Sequence, residues 1–358
     1  MRVLHVAAGN LYGGVERILE EIARHAPAAS RHEFALSFEG RLSAGLDAAG
    51  ATRHDLGAVR FSRPLSVWRA RRRLRRLVRA NAYDAVVCHA PWALALAAPA
   101  VARGLTVLWA HDASRGDHWT ERRAARKRPD LVICNSHYTA DAIGAWLIGV
   151  PRQVVYAPVS PPAGNGLVRA NMRRALGAGD RETVVLVASR LERWKGHAEL
   201  LRSAVALRGL WKIWVAGAPQ RPHEARYERE LKALADSLGL RDRVTFLGER
   251  RDVPQLFRAA DLHCQPNIMP EPFGLAFIEA LYASIPVVTS DLGGAREIIT
   301  PECGELVTPG DRQALTQTLQ SLIDDPARRA RLGSAGPARA RALCDPSTQI
   351  AALERALA

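Results

Sequence analysis

Short runs of aliphatic and β-branched residues alternate along this chain with longer stretches in which apolar positions recur every three or four residues. The first pattern suits buried strands and the second amphipathic helices. Their regular alternation predicts parallel sheets with crossover helices on both faces. In the first half the predicted strands are 2–8, 33–38, 84–88, 106–110, 131–134 and 153–156. Residues 157–166, APVSPPAGNG, then break the pattern with three prolines and two glycines and read as an interdomain linker. The alternation restarts with strands at 183–188, 212–216, 244–247, 261–265, 286–289 and 305–307. The fold class this predicts is α/β, with two doubly wound Rossmann-like domains. The first spans residues 1–158, 159–180 is the linker and domain start, and 181–336 is the second domain. Residues 337–358, rich in alanine and arginine, have the period of a C-terminal helix and are expected to pack back on the first domain. At about 150 residues per domain, 358 residues fit two domains.

Composition narrows the class further. A chain that is 48% hydrophobic and 24% charged is a folded protein, and no apolar run approaches the roughly 18 residues of a spanning helix. The opening MRVLHVAAG is too short for a signal-peptide core and looks like a buried strand, so a cytoplasmic protein is expected. Five cysteines without a CxxC pair argue against both a disulfide framework and a zinc site. The net charge of +14 comes almost wholly from arginine, because only four of the 50 cations are lysines. Nucleic acid, anionic lipid or phosphorylated small molecules would all suit such a chain; no nucleic-acid motif or aromatic stacking platform accompanies the arginines.

Candidate chemistry collects where strands end, which is where open parallel sheets bind ligands. Gly13-Gly14 opens a helix after the first strand, either as a tight turn or as an anion site with free N–H groups. It fits neither GxGxxG nor a P-loop. Arg190 and Lys195 form a cationic pair beyond the 183–188 strand, suited to a diphosphate. Glu271 and Glu279 flank a helix start at Pro272-Phe273-Gly274. They are either surface acids or a pair that holds sugar hydroxyls, and the apolar setting of Glu279 favours a partnered carboxylate. No Asp-x-Asp pair occurs.

Taken together these residues resemble the retaining glycosyltransferases of family 4, which have the two-domain GT-B fold. The most specific match is Glu271-Pro-Phe-Gly-Leu-Ala-Phe-Ile-Glu279 followed by Ser284-Ile-Pro286-Val-Val, similar to the family's E-x7-E signature and G-x-P-V-V run. Ser189-Arg190-Leu with Lys195-Gly196, Gly217, Phe246-Leu-Gly248 with Asp252, and Gly293-Gly294 with Glu297 support it in the same order. Ser284 stands where glycine is usual, and the segment between the 106–110 and 131–134 strands is brief.

The resemblance implies two domains facing one another across a cleft that takes a UDP- or GDP-sugar donor. Arg190 and Lys195 would hold the diphosphate, helped by Gly13, Gly14 and the backbone at Phe273, Gly274 and Leu275; Gly217 and Arg250 would line the donor site. Glu279 would take the ribose hydroxyls and Glu271 the transferred sugar, with His111 near the anomeric carbon and the acceptor. It further implies retention of configuration without a metal or other cofactor, in cell-envelope glycan, glycolipid or glycoside synthesis. A GT-B sugar-nucleotide epimerase and a basic nucleic-acid-binding protein are the competing readings. A last feature is a predicted helix with Val67, Ala70, Leu74, Leu77 and Val78 on one face. Arg69, Arg71, Arg72, Arg73, Arg75, Arg76 and Arg79 fill the rest, which suits peripheral contact with an anionic membrane.

Overall fold

A computed structural model describes residues 1–162 and 167–358, so residues 163–166 of the predicted linker lie outside the described residues. The described chain divides into two compact units, Met1–Ser160 with Cys344–Ala358, and Pro161–Leu343.

The first unit runs β1 (Arg2–Ala7), α1 (Gly14–His25), β2 (Arg31–Leu36), α2 (Arg41–Ala48), β3 (Arg53–Asp55), α3 (Pro64–Ala80), β4 (Ala85–Cys88) and α4 (Pro91–Ala97). It continues through β5 (Leu105–Ala110), α5 (Trp119–Ala125), β6 (Leu131–Cys134), α6 (His137–Gly144) and β7 (Arg152–Val154). The sheet order is β3-β2-β1-β4-β5-β6-β7. The chain therefore winds outward from β1 to β3, returns to pair β4 with β1, and winds the other way. That reversal beside β1 is the switch point of a doubly wound sheet.

The second unit runs α7 (Leu167–Ala175), β8 (Thr183–Ala188), α8 (His197–Ala204), β9 (Trp211–Ala216), α9 (Pro222–Ser237), β10 (Val244–Gly248) and α10 (Val253–Ala259). It ends with β11 (Leu262–Gln265), α11 (Leu275–Tyr282), β12 (Val287–Ser290), α12 (Ala295–Ile298), β13 (Gly304–Val307), α13 (Arg312–Asp324) and α14 (Pro326–Cys344). Its order, β10-β9-β8-β11-β12-β13, has the same reversal beside β8. Each sheet packs a continuous apolar core under its helices, with Leu4, Val86, Leu108 and Val132 in the first unit and Val185, Ile213, Leu262 and Val288 in the second.

Three differences from the sequence expectations have physical causes. The edge strand β3 was not expected, because Arg53-His54-Asp55 carries no apolar residue and is held by its pairing with β2 and by polar contacts such as those of Arg53 with Asp47 and Glu39. β2 starts two residues earlier than the apolar run suggests, because the polar Arg31 and His32 pair with Arg2 and Val3 of β1. There Glu33 accepts from Arg2 at 2.6 Å and from Tyr83 at 2.6 Å. Burial pushes the Glu33 carboxyl up, but the bonds from Tyr83, His54 and Arg2 outweigh it and hold it at about 2. The C-terminal segment is also not one helix. Asp345 caps a new one by accepting from Thr348 N at 2.9 Å, with Pro346 at its first position. That last helix, α15 (Pro346–Leu357), packs against α1 within the first unit. All five cysteines are buried free thiols.

Ser284 follows α11 at φ +60°, in the left-handed region where glycine ends helices without a Cβ penalty. Ser284→Gly is expected to raise the second unit's stability by about 0.5–1 kcal/mol, seen as a higher urea midpoint. A lowered midpoint would show that the serine side chain contributes more than its backbone strain costs.

Candidate functional site

In the second unit the loop after β11 folds back so that Glu271 lies at the carboxyl end of the sheet. Two glycines make this possible. A Cβ on Gly293 would come within 2.4 Å of the Glu271 carbonyl oxygen, and one on Gly294 within 2.6 Å of that of Pro272. The Gly294 N–H donates to Glu271 O at 2.8 Å, which pins the loop to the start of α12. Gly196, at φ +76°, lets the turn after β8 close on the same loop, where a Cβ would meet Pro266 O at 1.8 Å. Larger residues would push the two loops apart.

That closure brings Lys195 and Glu271 together. Lys195 Nζ donates to Glu271 Oε2 at 2.6 Å, with Gln265 Nε2 at 3.1 Å and Asn267 Nδ2 at 3.3 Å on the same oxygen. Glu271 is only 8% exposed, so its charge depends on these donors. Gln265 and Asn267 were not singled out from sequence. Their signal was two amides following an apolar strand, in the run His-Cys-Gln-Pro-Asn.

Arg190 is not joined to Lys195. Its Nη2 donates to Glu224 at the start of α9, and Glu192 lies 3.2 Å away. The buried Glu224 also accepts from Gln220 N at 2.6 Å. Burial works to raise the Glu224 carboxyl, while the Gln220 amide and the Arg190 guanidinium bring it below the ordinary range. The Arg190 Nε is buried with no partner among the described residues, so the guanidinium retains one unsatisfied donor.

Glu279 lies in the second turn of α11, 9% exposed, with Phe273, Gly274 and Leu275 forming the helix start before it. Gly217 has a packing role: its N–H donates to Gly248 O at 3.0 Å, and a Cβ would strike Ser189 O at 2.0 Å. Arg250 makes a bidentate pair with Asp252, at 2.8 and 2.6 Å, beside the start of α10.

In the first unit Gly13 is the N-cap of α1, but its N–H donates to Glu16 Oε2 at 2.9 Å. That first-turn carboxylate already complements the helix dipole, which weakens the case for an anion there. His111 lies just beyond β5 at the carboxyl end of the sheet, nearly coplanar with His89 and meeting it edge to edge through ring nitrogens 3.0 Å apart. Burial lowers its pKa to about 3. Among the described residues no group of three or more His, Cys, Asp or Glu side chains is placed to hold a metal ion.

Comparison with known proteins gives these strand-end loops a family. The model described as Glycosyltransferase Family 4 matches residues 12–161, and Glycosyl transferases group 1 matches residues 168–339. The chain belongs to glycosyltransferase family 4. Its two Rossmann-like halves are those of the GT-B fold. The lipopolysaccharide core biosynthesis mannosyltransferase LpsB of Rhizobium meliloti (strain 1021) is 33% identical over 224 residues, 60% of this chain and 61% of that protein. A GDP-mannose-dependent monoacylated alpha-(1-6)-phosphatidylinositol monomannoside mannosyltransferase of Corynebacterium glutamicum is 33% identical over 181 residues, 48% of this chain and 45% of the relative. The matches thus span about half of these curated relatives' lengths. The crystal structure of Anabaena HepE in complex with UDP and glucose superposes with a TM-score of 0.89 at 28% identity, covering 100% of this chain and 99% of that one.

This family 4 chain buries several neutral histidines in both units. Burial lowers His197 and His263 to about 4, and places His5 and His89 well below the usual range. Because the unfolded chain titrates near 6.5 and binds more protons below that pH, stability present at pH 7.5 is lost as pH falls. Each such histidine is expected to remove about 1.4 kcal/mol between pH 7.5 and 5.5, measured as falling urea midpoints. A flat profile over that range would show that the rings are already charged in the folded state.

Proposed function

We propose that this chain is a retaining glycosyltransferase that moves a sugar from a UDP- or GDP-sugar to an acceptor hydroxyl in cell-envelope glycan or glycolipid synthesis. The observation that carries the reading is Glu271, a buried carboxylate held by Lys195, Gln265 and Asn267 at the ligand-binding edge of the second sheet. Such a carboxylate, with lone pairs to share, suits the hydroxyls of a sugar. The family supports it, as do the UDP and glucose named for the Anabaena structure and the GDP-mannose named for the Corynebacterium relative.

In this reading Lys195 and Arg190 neutralise the donor diphosphate, Glu279 takes the ribose hydroxyls, Glu271 orients the sugar, and His111 stands near the anomeric carbon. Gly14, Phe273, Gly274 and Leu275 offer backbone groups, Gly13 would contribute only if its N–H leaves Glu16, and Gly217 and Arg250 shape the loops beside the site. As the bond from C1 to the diphosphate oxygen breaks, the acceptor oxygen bonds to C1 from the same face. The hydroxyl proton passes to the departing diphosphate. Stabilising that leaving group is the protein's largest task, and the two cations perform it without a metal.

Lys195→Ala and Glu279→Ala are each expected to weaken donor binding roughly ten- to a hundredfold by calorimetric titration. The same assay system with acceptor is expected to keep its rate in EDTA and to give product with the donor's anomeric configuration by NMR. Unchanged dissociation constants in both variants would remove the donor-site assignment, and restoration of an EDTA-killed rate by magnesium would remove the metal-free mechanism.

Peripheral membrane contact belongs to the same proposal. Among the described residues no helix is long and apolar enough to cross a membrane. On α3, Val67, Ala70 and Leu74 are buried, whereas Leu65 and Trp68 are 68% and 57% exposed. Of the seven arginines only Arg71 is partly buried, donating to Ala95 O at 2.9 Å, and the exposed Arg73 is engaged by Asp55 at 3.3 Å. Arg69, Arg72, Arg76 and Arg79 remain exposed beside Trp68 and Leu65, a mixture that suits an anionic lipid interface. At about 1 kcal/mol per engaged cation, replacing Arg69, Arg72 and Arg76 by glutamine is expected to release the protein from anionic vesicles at low salt and leave donor binding intact. A wild-type protein that never sediments with such vesicles would favour a soluble acceptor.

A further inference from the structure

Four histidines from four neighbouring strand positions form a single hydrogen-bonded row across the first sheet. His32 lies on β2, His5 on β1, His89 just after β4 and His111 just after β5, and these strands are adjacent in the order β2-β1-β4-β5. His111 Nε2 is 3.0 Å from His89 Nδ1, His89 Nε2 is 2.9 Å from His5 Nδ1, and His5 Nε2 is 2.9 Å from His32 Nδ1. At the far end His32 Nε2 is 3.3 Å from Glu354 Oε1, on α15. At the near end His111 Nδ1 is buried and has no hydrogen-bond partner among the described residues.

The row has one direction. Burial keeps His5, His89 and His111 neutral, and it also lowers His32 against the opposing pull of Glu354. A neutral imidazole has one N–H and one lone pair, so each ring that donates at Nε2 must accept at Nδ1. A carboxylate only accepts, so His32 donates to Glu354 through Nε2. His32 Nδ1 then accepts from His5 Nε2, His5 Nδ1 from His89 Nε2, and His89 Nδ1 from His111 Nε2. His111 is left with a bare Nδ1. Run the other way, the row would set the lone pair of His32 against the carboxylate and leave an N–H on His111.

We propose that Glu354 sets the tautomer of His111 through His32, His5 and His89, so that His111 Nδ1 is presented as a bare acceptor for a substrate hydroxyl. Glu354 and the three inner histidines are positioning residues, and only the hydroxyl rests on the functional reading above. The lone pair at Nδ1 would orient a hydroxyl of the sugar or acceptor, whereas an N–H there would repel the same proton. The last helix acquires a role at a distance: the ion it places against β2 is read out beyond β5.

The test reads the tautomer directly. Long-range proton–nitrogen correlation spectra of protein labelled with nitrogen-15 histidine distinguish protonated from bare ring nitrogens, and the His111 signals are identified by their loss in His111→Gln. The wild type is expected to show a bare Nδ1 in His111. Glu354→Lys replaces the acceptor with a donor and is expected to reverse the row, protonating His111 Nδ1. Glu354→Gln, which can donate or accept and alters the shape least, is expected to give a mixed signal, and Glu354→Asp to restore the bare one. With donor and acceptor, Glu354→Lys is expected to lower kcat by about tenfold with little change in the donor KM. A protonated Nδ1 in the wild type, or a bare one in wild type, Glu354→Gln and Glu354→Lys alike, overturns the proposal. A reversed tautomer with unaltered turnover keeps the relay and instead removes His111 from the substrate.

Discussion

Parallel pairing obliges every strand in a sheet to end on the same edge, and all strand pairs in both units are parallel. From that constraint the placement of the chemistry follows. His111 leaves β5, Lys195 follows β8 and Glu271 follows β11, and each therefore stands at the carboxyl edge of its own sheet. Interior strands are covered on both faces, so most of their residues are apolar, with buried polar exceptions such as His5, His32, Glu33 and His263, and His111, Lys195 and Glu271 stand beyond the strand ends. The ends can carry reactive side chains because the strands below are rigid.

Rigidity at those ends comes from backbone approaches that only glycine permits. Gly196 against Pro266, and Gly293 and Gly294 against the 271–272 backbone, bring two loops within reach of one ion pair. The Lys195–Glu271 bond at 2.6 Å results from that closure as much as from charge. A buried carboxylate with one ammonium and two amide donors is satisfied without a ligand, and in the proposed function it would exchange some of these partners for sugar hydroxyls. Arg190 is likewise held by Glu224, so both cations are paired and oriented in advance of any diphosphate. Such preorganisation lowers the reorganisation needed when negative charge develops.

The first sheet uses its rigidity differently. It threads four imidazoles through its interior, where desolvation keeps them neutral, and it orders them against a carboxylate supplied by the last helix. The rings are spaced by the sheet itself: successive ring centroids lie 5.2 Å apart, close to the interstrand distance. A relay of this kind needs strands that do not shift, and the central strands of a parallel sheet meet that need.

Much of this molecule was legible in its residues. Apolar runs located twelve of the strands, since burial on both faces leaves a continuous hydrophobic signature, and the Pro-Phe-Gly between Glu271 and Glu279 marked the helix start that leaves the first acid in a loop and the second in α11. What the sequence could not show was any feature made by polar residues in pairing. The strand β3 has no apolar position, Gln265 and Asn267 are ordinary amides until the loop closes, and Arg190 has an acidic partner 34 positions away. The histidine row is the clearest case. His5, His32, His89 and His111 are scattered singly over a hundred residues, and Glu354 is far beyond them. Hydrophobic burial acts locally enough to leave a period in the chain, whereas a hydrogen bond between distant residues exists only after strand order has decided which side chains stand next to each other.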